Sequence, residues 1–169
     1  MKIAVDVMGG DLGCEVVIDG IMQALRKCKQ IELIQIVGDE LAIIQSLVRL
    51  ENIDSRIEVI HASEVLLMED KPVEGHRKKQ NCSLAVAMDL VKTGKSDAII
   101  SPGNTGGVVA AAAIKLRTLS GVDRPGIAAV IPSKNKNFIL LDAGANLEGK
   151  PNHLMHYAIM GDILSLIHI

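Results

Sequence analysis

Short β-rich runs alternate with helical hydrophobic patterns along this chain. Lys2 to Val7 is β-rich, and hydrophobic residues then recur at helical spacing from Val16 to Cys28. The same order is repeated further on, with predicted strands at 32–37, 56–60 and 97–101. Strands that alternate with helices usually form a parallel sheet. The sequence therefore predicts an α/β fold with a mostly parallel sheet.

Two later segments show helix signals. Ser83 can cap a helix whose C-terminal end Gly94 marks. The Ala/Val-rich stretch from Gly107 to Ile114 is hydrophobic on nearly all sides, which predicts a buried helix. Residues 61–81 are polar and less regular, and they include a basic run at residues 76–79.

The C-terminal third begins with a predicted strand pair. Residues 127–131 and 138–142 have strand patterns, and a short polar turn joins them. A link of that length permits an antiparallel pair, so the sheet is predicted to be mixed. A last helix is predicted to start at Pro151.

Composition excludes several classes of function. The net charge is −2, and Phe138 and Tyr157 are the only aromatic residues, so we expect no nucleic-acid partner. Cys14, Cys28 and Cys82 are far apart and odd in number. They therefore predict a reducing cytoplasm rather than a disulfide framework or a zinc site. No apolar stretch is long enough to span a bilayer.

Two glycine-rich loops follow predicted strands. Open α/β sheets bind ligands beyond the carboxyl ends of their strands, where glycines and helix starts present backbone N–H groups to anions. A tight turn or helix capping explains either loop alone at least as well, but two such loops favour a phosphate site. The candidate binding residues are Gly9, Gly10 and Asp11 in the first loop and Gly103, Asn104, Thr105 and Gly106 in the second.

Two further loops carry candidate polar groups. Arg77 and Lys79 precede the helix that begins near Ser83, and cations beside a helix start suit a phosphate or phosphopantetheine group. A solvated charge run is the commoner explanation of such a pattern. Asp142 can orient a donor or a water, and Asn146 can donate a hydrogen bond to a carbonyl or phosphate oxygen, although an Asx turn explains both residues.

Other patterns are weaker. His153 and His156 are three residues apart on the last predicted helix, but no nearby acidic or Cys partner completes a metal site, so an amphipathic helix surface is the better interpretation. No recognisable His partner follows Cys82, which favours a buried structural cysteine over a nucleophile. We therefore expect no metal.

Several segments occur together in a fixed order. They are MKIAVDVMGGD, DKPVEGHRKKQNCSLAVAMDLVKTGKSDAIISPGNTGG, the Arg124-Pro125 step, LDAGAN and PNHLMHYAIMG. In this register they resemble the phosphate acyltransferase family often called PlsX, from Met1 to about Gly161. One departure is Leu12, because the family usually has a histidine directly after the aspartate of this opening.

The resemblance implies a three-layer α/β/α fold similar to those of isopropylmalate dehydrogenase and phosphotransacetylase. It implies that inorganic phosphate attacks an acyl–acyl carrier protein thioester to give acyl phosphate for phospholipid synthesis, with no cofactor. Because phosphate is then the nucleophile, the site needs anion binding, alignment and donors for the thioester oxyanion. Asn104 and Asn146 are the candidate catalytic donors.

The resemblance also implies partners and a location. It suggests a homodimer in the cytoplasm, associated peripherally with the inner face of the cell membrane. A downstream glycerol-3-phosphate acyltransferase is the expected neighbour there.

The family's chains continue well beyond the length of this one. The last six residues read LSLIHI, and a DNA string of a sequencing-library adapter, CTGTCTCTTATACACATC, encodes them. We therefore expect residues 1–163 to be the N-terminal part of a phosphate acyltransferase domain and residues 164–169 to be an adapter artefact.

Three other functions remain open from the sequence. A phosphotransacetylase-like enzyme that uses an acyl-CoA shares the fold and the chemistry. A nucleotide- or NAD-binding dehydrogenase is disfavoured because no GxGxxG motif occurs. An inactive truncated fragment, or a binding module for acyl carrier protein, is the non-enzymatic alternative.

Overall fold

The computed structural model describes residues 1–49, 53–144 and 149–168. The chain divides into two compact units, Met1–Leu116 and Arg117–Ile169. None of the helices in these described ranges is long and apolar enough to cross a membrane.

The first unit contains a four-stranded, fully parallel sheet. Its spatial order is β3-β2-β1-β4, so the first strand lies inside the sheet. Val5 pairs with Ile36 on one side and with Ile100 on the other. The strands are β1 (Lys2–Asp6), β2 (Leu33–Gly38), β3 (Ile57–His61) and β4 (Ala98–Ile100). The predicted parallel α/β arrangement is confirmed.

Among the described residues of the first unit, five helices accompany this sheet, and the fifth runs directly into a π-helical turn at Ala112–Leu116. They are α1 (Cys14–Lys27), α2 (Glu40–Val48), α3 (Pro72–Lys78), α4 (Ser83–Lys92) and α5 (Thr105–Ala111).

Alternation along β1 directs side chains to two different cores. Ile3 and Val5 belong to the core that includes Ile18 of α1. Ala4 belongs to a separate core with Ala87 of α4. Because successive strand residues face opposite sides of a sheet, helices cover both faces. The first unit therefore has the three layers that the family resemblance implies.

The end of α4 follows from one glycine. Gly94 has φ 72°, a conformation that favours glycine, and the N–H of Lys95 donates to the carbonyl of Leu90 at 2.9 Å. This is the hydrogen bond of a Schellman-type end, in which a left-handed residue satisfies the last carbonyl groups. The predicted helix stop at Gly94 is confirmed.

One helix was not predicted from the sequence, and one prediction about a helix is wrong. Residues 61–81 contain a regular element, α3, which begins with Pro72 in its first turn, a favoured position for proline. The stretch from Gly107 to Ile114 is not buried as a whole. Only Gly107 and Ala111 are buried there, whereas Ile114 is 52% exposed.

The second unit is a strand pair followed by a helix. Its strands are antiparallel, as predicted, with Val130 paired to Ile139. Tyr157 is buried, and a Cβ atom at Gly126 would lie 3.0 Å from its ring, so the helix packs closely here. The elements are β5 (Ala128–Ile131), β6 (Phe138–Leu141) and α6 (Pro151–His168). Residues 164–168 continue α6, and their origin from an adapter stays a prediction.

Two alanine substitutions should change stability in opposite directions. Gly20 lies inside α1 with open space where a Cβ atom would extend, so Gly20→Ala should stabilise the chain by about 0.5–1 kcal/mol. Gly94→Ala forces alanine into a left-handed conformation and should destabilise the chain by about 1 kcal/mol. Urea unfolding followed by circular dichroism measures both changes, and shifts of the same sign would contradict this account of the two glycines.

Candidate functional site

The two glycine loops lie against each other at one edge of the sheet. They follow β1 and β4, which are neighbouring parallel strands, so both begin at the same edge. A Cβ atom at Gly9 would lie 2.9 Å from the Cα of Gly103, and one at Gly103 would lie 3.1 Å from the carbonyl oxygen of Gly9. Only residues without side chains allow this approach of backbone to backbone. The structure therefore brings the two sequence-predicted loops together.

The Asp6 side chain forms hydrogen bonds with both loops. This carboxylate ends β1 and is 1% exposed. One oxygen accepts from the N–H groups of Met8 and Gly9 at 3.1 and 3.2 Å, and the other accepts from the Ser101 hydroxyl at 2.7 Å. Ser101 Oγ in turn accepts from the N–H of Gly103 at 3.2 Å. A buried charge needs such partners, and these partners fix both loops relative to the sheet.

The second loop leads into the N-terminus of α5. Asn104 is the N-cap, and its Oδ1 accepts from the N–H of Gly107 at 2.9 Å. Thr105 and Gly106 are exposed at the start of the helix, and their N–H groups have no partner in the described part of the chain. These two donors are accessible to an anion.

The other end of the Asn104 amide is also used. Its Nδ2 lies 3.0–3.3 Å from the carbonyl oxygens of Leu67, Met68 and Asp70. Asn104 therefore clamps the segment before α3 onto the start of α5. A role as oxyanion donor stays a prediction, but every polar atom of this side chain already has a partner within the fold.

Lys79 also binds the segment before α3. Its ammonium donates to the Asp70 carboxylate and, at 2.9 Å, to the carbonyl of Val65. The hydrogen bond from Lys79, followed by that from the N–H of Leu67, lowers the pKa of the Asp70 carboxyl, and partial burial opposes this only in part. Lys79 is thus committed to an ion pair within the protein.

Arg77 lies elsewhere although it is only two residues away. It is exposed, and it lines a cavity between α3, α4 and the C-terminal end of α5. The cations that the sequence grouped together are therefore separated by the structure. Their contacts with phosphate stay a prediction.

The remaining predicted residues have different surroundings. Asp11 is exposed beside half-buried Gly10, whereas Ser83 is 1% exposed and its hydroxyl has no hydrogen-bond partner within the described ranges. Asp142 belongs to the second unit, at the end of β6, where it has φ 61° and its N–H donates to the carbonyl of Ile127 at 2.8 Å. Asn146 lies outside the described residues.

Sequence reasoning missed His76. This side chain is 9% exposed, and its Nε2 lies 2.9 Å from the carbonyl oxygen of Gly107. Because a carbonyl oxygen can only accept, Nε2 carries the proton, and Nδ1 faces the Cys82 sulfur at 4.0 Å. Burial raises the pKa of the Cys82 thiol, which therefore stays protonated at neutral pH.

Asp6 and Ser101 were also missed. An ionisable residue inside an apolar strand is a usable sequence signal, and Asp6 interrupts such a run. Ser101 offers no comparable signal, because its partner is 95 residues away along the chain.

No metal centre occurs within the described ranges, where no three His, Cys, Asp or Glu side chains are grouped to hold an ion. His153 is buried, and its Nδ1 accepts from the N–H of Lys150 at 3.2 Å. His153 therefore lies on the buried side of α6, and His156 is half-buried.

Replacing Lys79 should raise the pKa of the Asp70 carboxyl. Because its folded pKa is lowered, the ion pair stabilises the fold above the ordinary carboxyl pKa, and this contribution is lost as the pH falls through the lowered value. Lys79→Met should move the pKa of Asp70 towards its ordinary value, measured by NMR titration of the carboxyl carbon. Lys78→Met is the matched control, since Lys78 contributes only a weaker charge effect, and an equal rise in that variant would contradict the assignment.

Comparison with known proteins identifies relatives along almost the whole chain. A family model described as fatty acid synthesis protein matches residues 1–166. The phosphate acyltransferase of Akkermansia muciniphila is 44% identical over 165 residues, which cover 98% of this chain and 47% of that protein. The phosphate acyltransferase of Exiguobacterium sibiricum is 42% identical over 166 residues, which cover 96% of this chain and 49% of that protein.

A solved structure supports the same fold. The EutD phosphotransacetylase from Staphylococcus aureus matches with a TM-score of 0.69 and 22% sequence identity, covering 98% of this chain and 53% of that chain. The present chain thus spans about half the length of the curated relatives that it matches. Given the family model and relatives that are 42–44% identical, the chain belongs to the fatty acid synthesis protein family, the phosphate acyltransferase (PlsX) family that its motifs resemble.

Proposed function

We propose that this chain supplies the phosphate-binding part of a phosphate acyltransferase. The reaction transfers the acyl group of an acyl–acyl carrier protein thioester to inorganic phosphate and gives acyl phosphate for phospholipid synthesis. The observation that carries the proposal is the backbone contact between Gly9 and Gly103, which joins the two glycine loops. Beside them lie the N–H groups of Thr105 and Gly106, which have no partner among the residues that the structure describes. Relatives named phosphate acyltransferase support the acyl transfer.

The chemistry needs alignment more than a protein nucleophile. A phosphate oxygen attacks the thioester carbonyl, the new C–O bond forms, and the C–S bond breaks as the thiolate leaves and takes up a proton. The N–H groups of Thr105 and Gly106 bind the phosphate oxygens, aided by the partial positive charge at the start of α5. Holding the two reactants in the productive geometry lowers the barrier by removing the cost of bringing them together.

Asp6 acts as a positioning residue in this proposal. Its carboxylate is an anion and so contributes nothing attractive to phosphate. It holds the first loop through Gly9 and the second through Ser101, which sets the separation of the N–H donors. Asn104 has a comparable role, because its amide fixes the start of α5 against the segment before α3.

The proposal extends to the cellular setting that the family resemblance implies. The full-length enzyme is a cytoplasmic homodimer, peripheral to the inner membrane face, and passes acyl phosphate to a glycerol-3-phosphate acyltransferase.

The decisive assay measures phosphate-dependent consumption of acyl–acyl carrier protein, with the acyl phosphate trapped as hydroxamate. The full-length enzyme should form this product with acyl–acyl carrier protein and not with the matching acyl-CoA. Product only with acyl-CoA would establish the phosphotransacetylase-like alternative instead. The same assay on the 169-residue chain measures whether this part alone is sufficient.

Gly103→Ala tests the loop contact within the full-length enzyme. The added Cβ would lie 3.0 Å from the Cα of Gly9, so the loops must move apart and the N–H donors shift. We expect kcat/KM for phosphate to fall by roughly 100-fold, as an ångström-scale misplacement of reacting groups typically causes. Gly20→Ala, on α1 with open space around the new methyl group, should keep wild-type kinetics. If Gly103→Ala and Gly20→Ala have equal kcat/KM for phosphate, the glycine loops do not form the phosphate site.

Cys82 should take no covalent part in turnover. Because burial raises the pKa of its thiol, little thiolate is present at neutral pH, and the reactive form of cysteine is the thiolate. In the folded chain, Ellman's reagent should label exposed Cys28 rapidly and buried Cys82 only after unfolding. Mass spectrometry should find no acyl group on Cys82 after incubation with the thioester, and an acylated Cys82 peptide would overturn the direct attack by phosphate.

A further inference from the structure

A separate cavity lies in the first unit, between α3, α4 and the π-helical turn after α5. Its volume is about 440 Å³, within the range of small-molecule pockets and larger than a bare phosphate ion fills. Its lining residues are His76, Arg77, Gln80, Ala85, Asp89, Ala111, Ile114 and Lys115. A π-helical turn is a rare element that is frequent at functional sites.

The charged groups of this cavity leave one cation without a partner among the described residues. Lys115 donates to the Asp89 carboxylate, so these two charges largely neutralise each other. Arg77 has no hydrogen bond or ion pair with any residue in the described ranges. His76 donates through Nε2 to the carbonyl of Gly107 and is already held within the fold. The free guanidinium therefore gives the cavity an unbalanced positive charge that suits a carboxylate or a phosphate.

Part of the lining is apolar. Ala85 and Ala111 are both 1% exposed, and Ile114 beside them is 52% exposed. The exposed apolar surface of Ile114 gains by contact with an apolar group, because that contact removes it from water. Cation and apolar surface together indicate a ligand with two chemically different ends.

We propose that this cavity binds an anionic group, phosphate or carboxylate, that is carried on an apolar chain. Arg77 binds the anionic end through its guanidinium, and the chain lies against Ile114, next to the buried Ala85 and Ala111. The inference depends only on the geometry of the first unit and not on the proposed reaction. Alkyl phosphates and fatty-acid carboxylates both have this chemistry, as does the acyl phosphate of the proposed reaction.

The cavity is distinct from the glycine loops. Asn104 belongs to the loop at the start of α5, whereas Ala111 and Ile114 lie seven and ten residues further along the chain. At 1.5 Å per residue the two places are roughly 10–15 Å apart along the helix. Free phosphate at the loops and the anionic chain in the cavity therefore need not exclude each other.

Isothermal titration calorimetry on the 169-residue chain tests the proposal with octyl phosphate, octanoate and inorganic phosphate as probes. Octyl phosphate or octanoate should bind at one saturable site, and the tighter of the two identifies the preferred anionic end. Arg77→Gln should weaken that binding by about tenfold or more, as expected for a lost charge-assisted hydrogen bond. Ile114→Asp should weaken it similarly, since it places a negative charge on the apolar wall.

Lys78→Gln is the matched control. Lys78 is an exposed cation on the same helix that does not line the cavity, so its replacement should change the dissociation constant less than about twofold. Both test positions are exposed, and circular dichroism checks that the variants remain folded. Equal loss in Lys78→Gln and Arg77→Gln, inorganic phosphate binding as tightly as octyl phosphate, or no saturable binding of either chain-bearing probe would overturn the proposal.

Discussion

The candidate site depends on one buried carboxylate. Asp6 holds the first loop through the N–H of Gly9 and the second loop through the hydroxyl of Ser101. A charge that is 1% exposed is stable only because these donors replace the lost water. The same hydrogen bonds bring Gly9 and Gly103 into backbone contact, so the stability of the charge and the geometry of the loops have a single cause.

Further contacts link the second glycine loop, through the start of α5, to α3. Asn104 caps α5 with one end of its amide and binds the segment before α3 with the other. Gly106 allows α5 to approach the start of α3, since a Cβ atom at Gly106 would lie 2.8 Å from the ring of Pro72. Lys79 then fixes the same segment through Asp70. Polar and small residues thus connect the sheet edge to a helix that has little hydrophobic surface of its own.

The sequence correctly predicted those strands and helix ends that depend on residues close together in the chain. The strands of the parallel sheet and the stop at Gly94 follow from hydrophobic periodicity and from the one residue type that favours positive φ. The missed helix α3 had a local signal too, in Pro72, but its packing against α5 was not visible. Contacts such as Ser101 with Asp6 join residues 95 apart, and no pattern within a window of the chain encodes such a pairing.

The separation of Arg77 from Lys79 shows why a basic run is a weak functional signal. Arg77 is on α3 and reaches a cavity, whereas Lys79 is the C-cap, with φ −106° and ψ 74°, and turns back to Asp70. Residues two apart on a helix do not share a face, and leaving the helix separates them further. A cation bound to a carboxylate offers little to an incoming anion, while an unpaired guanidinium retains all its donors. Which cation of this basic run can bind an anion therefore depends on which one the fold pairs with a carboxylate. The fold pairs Lys79 with Asp70, so of the two Arg77 is the cation that can bind an incoming anion.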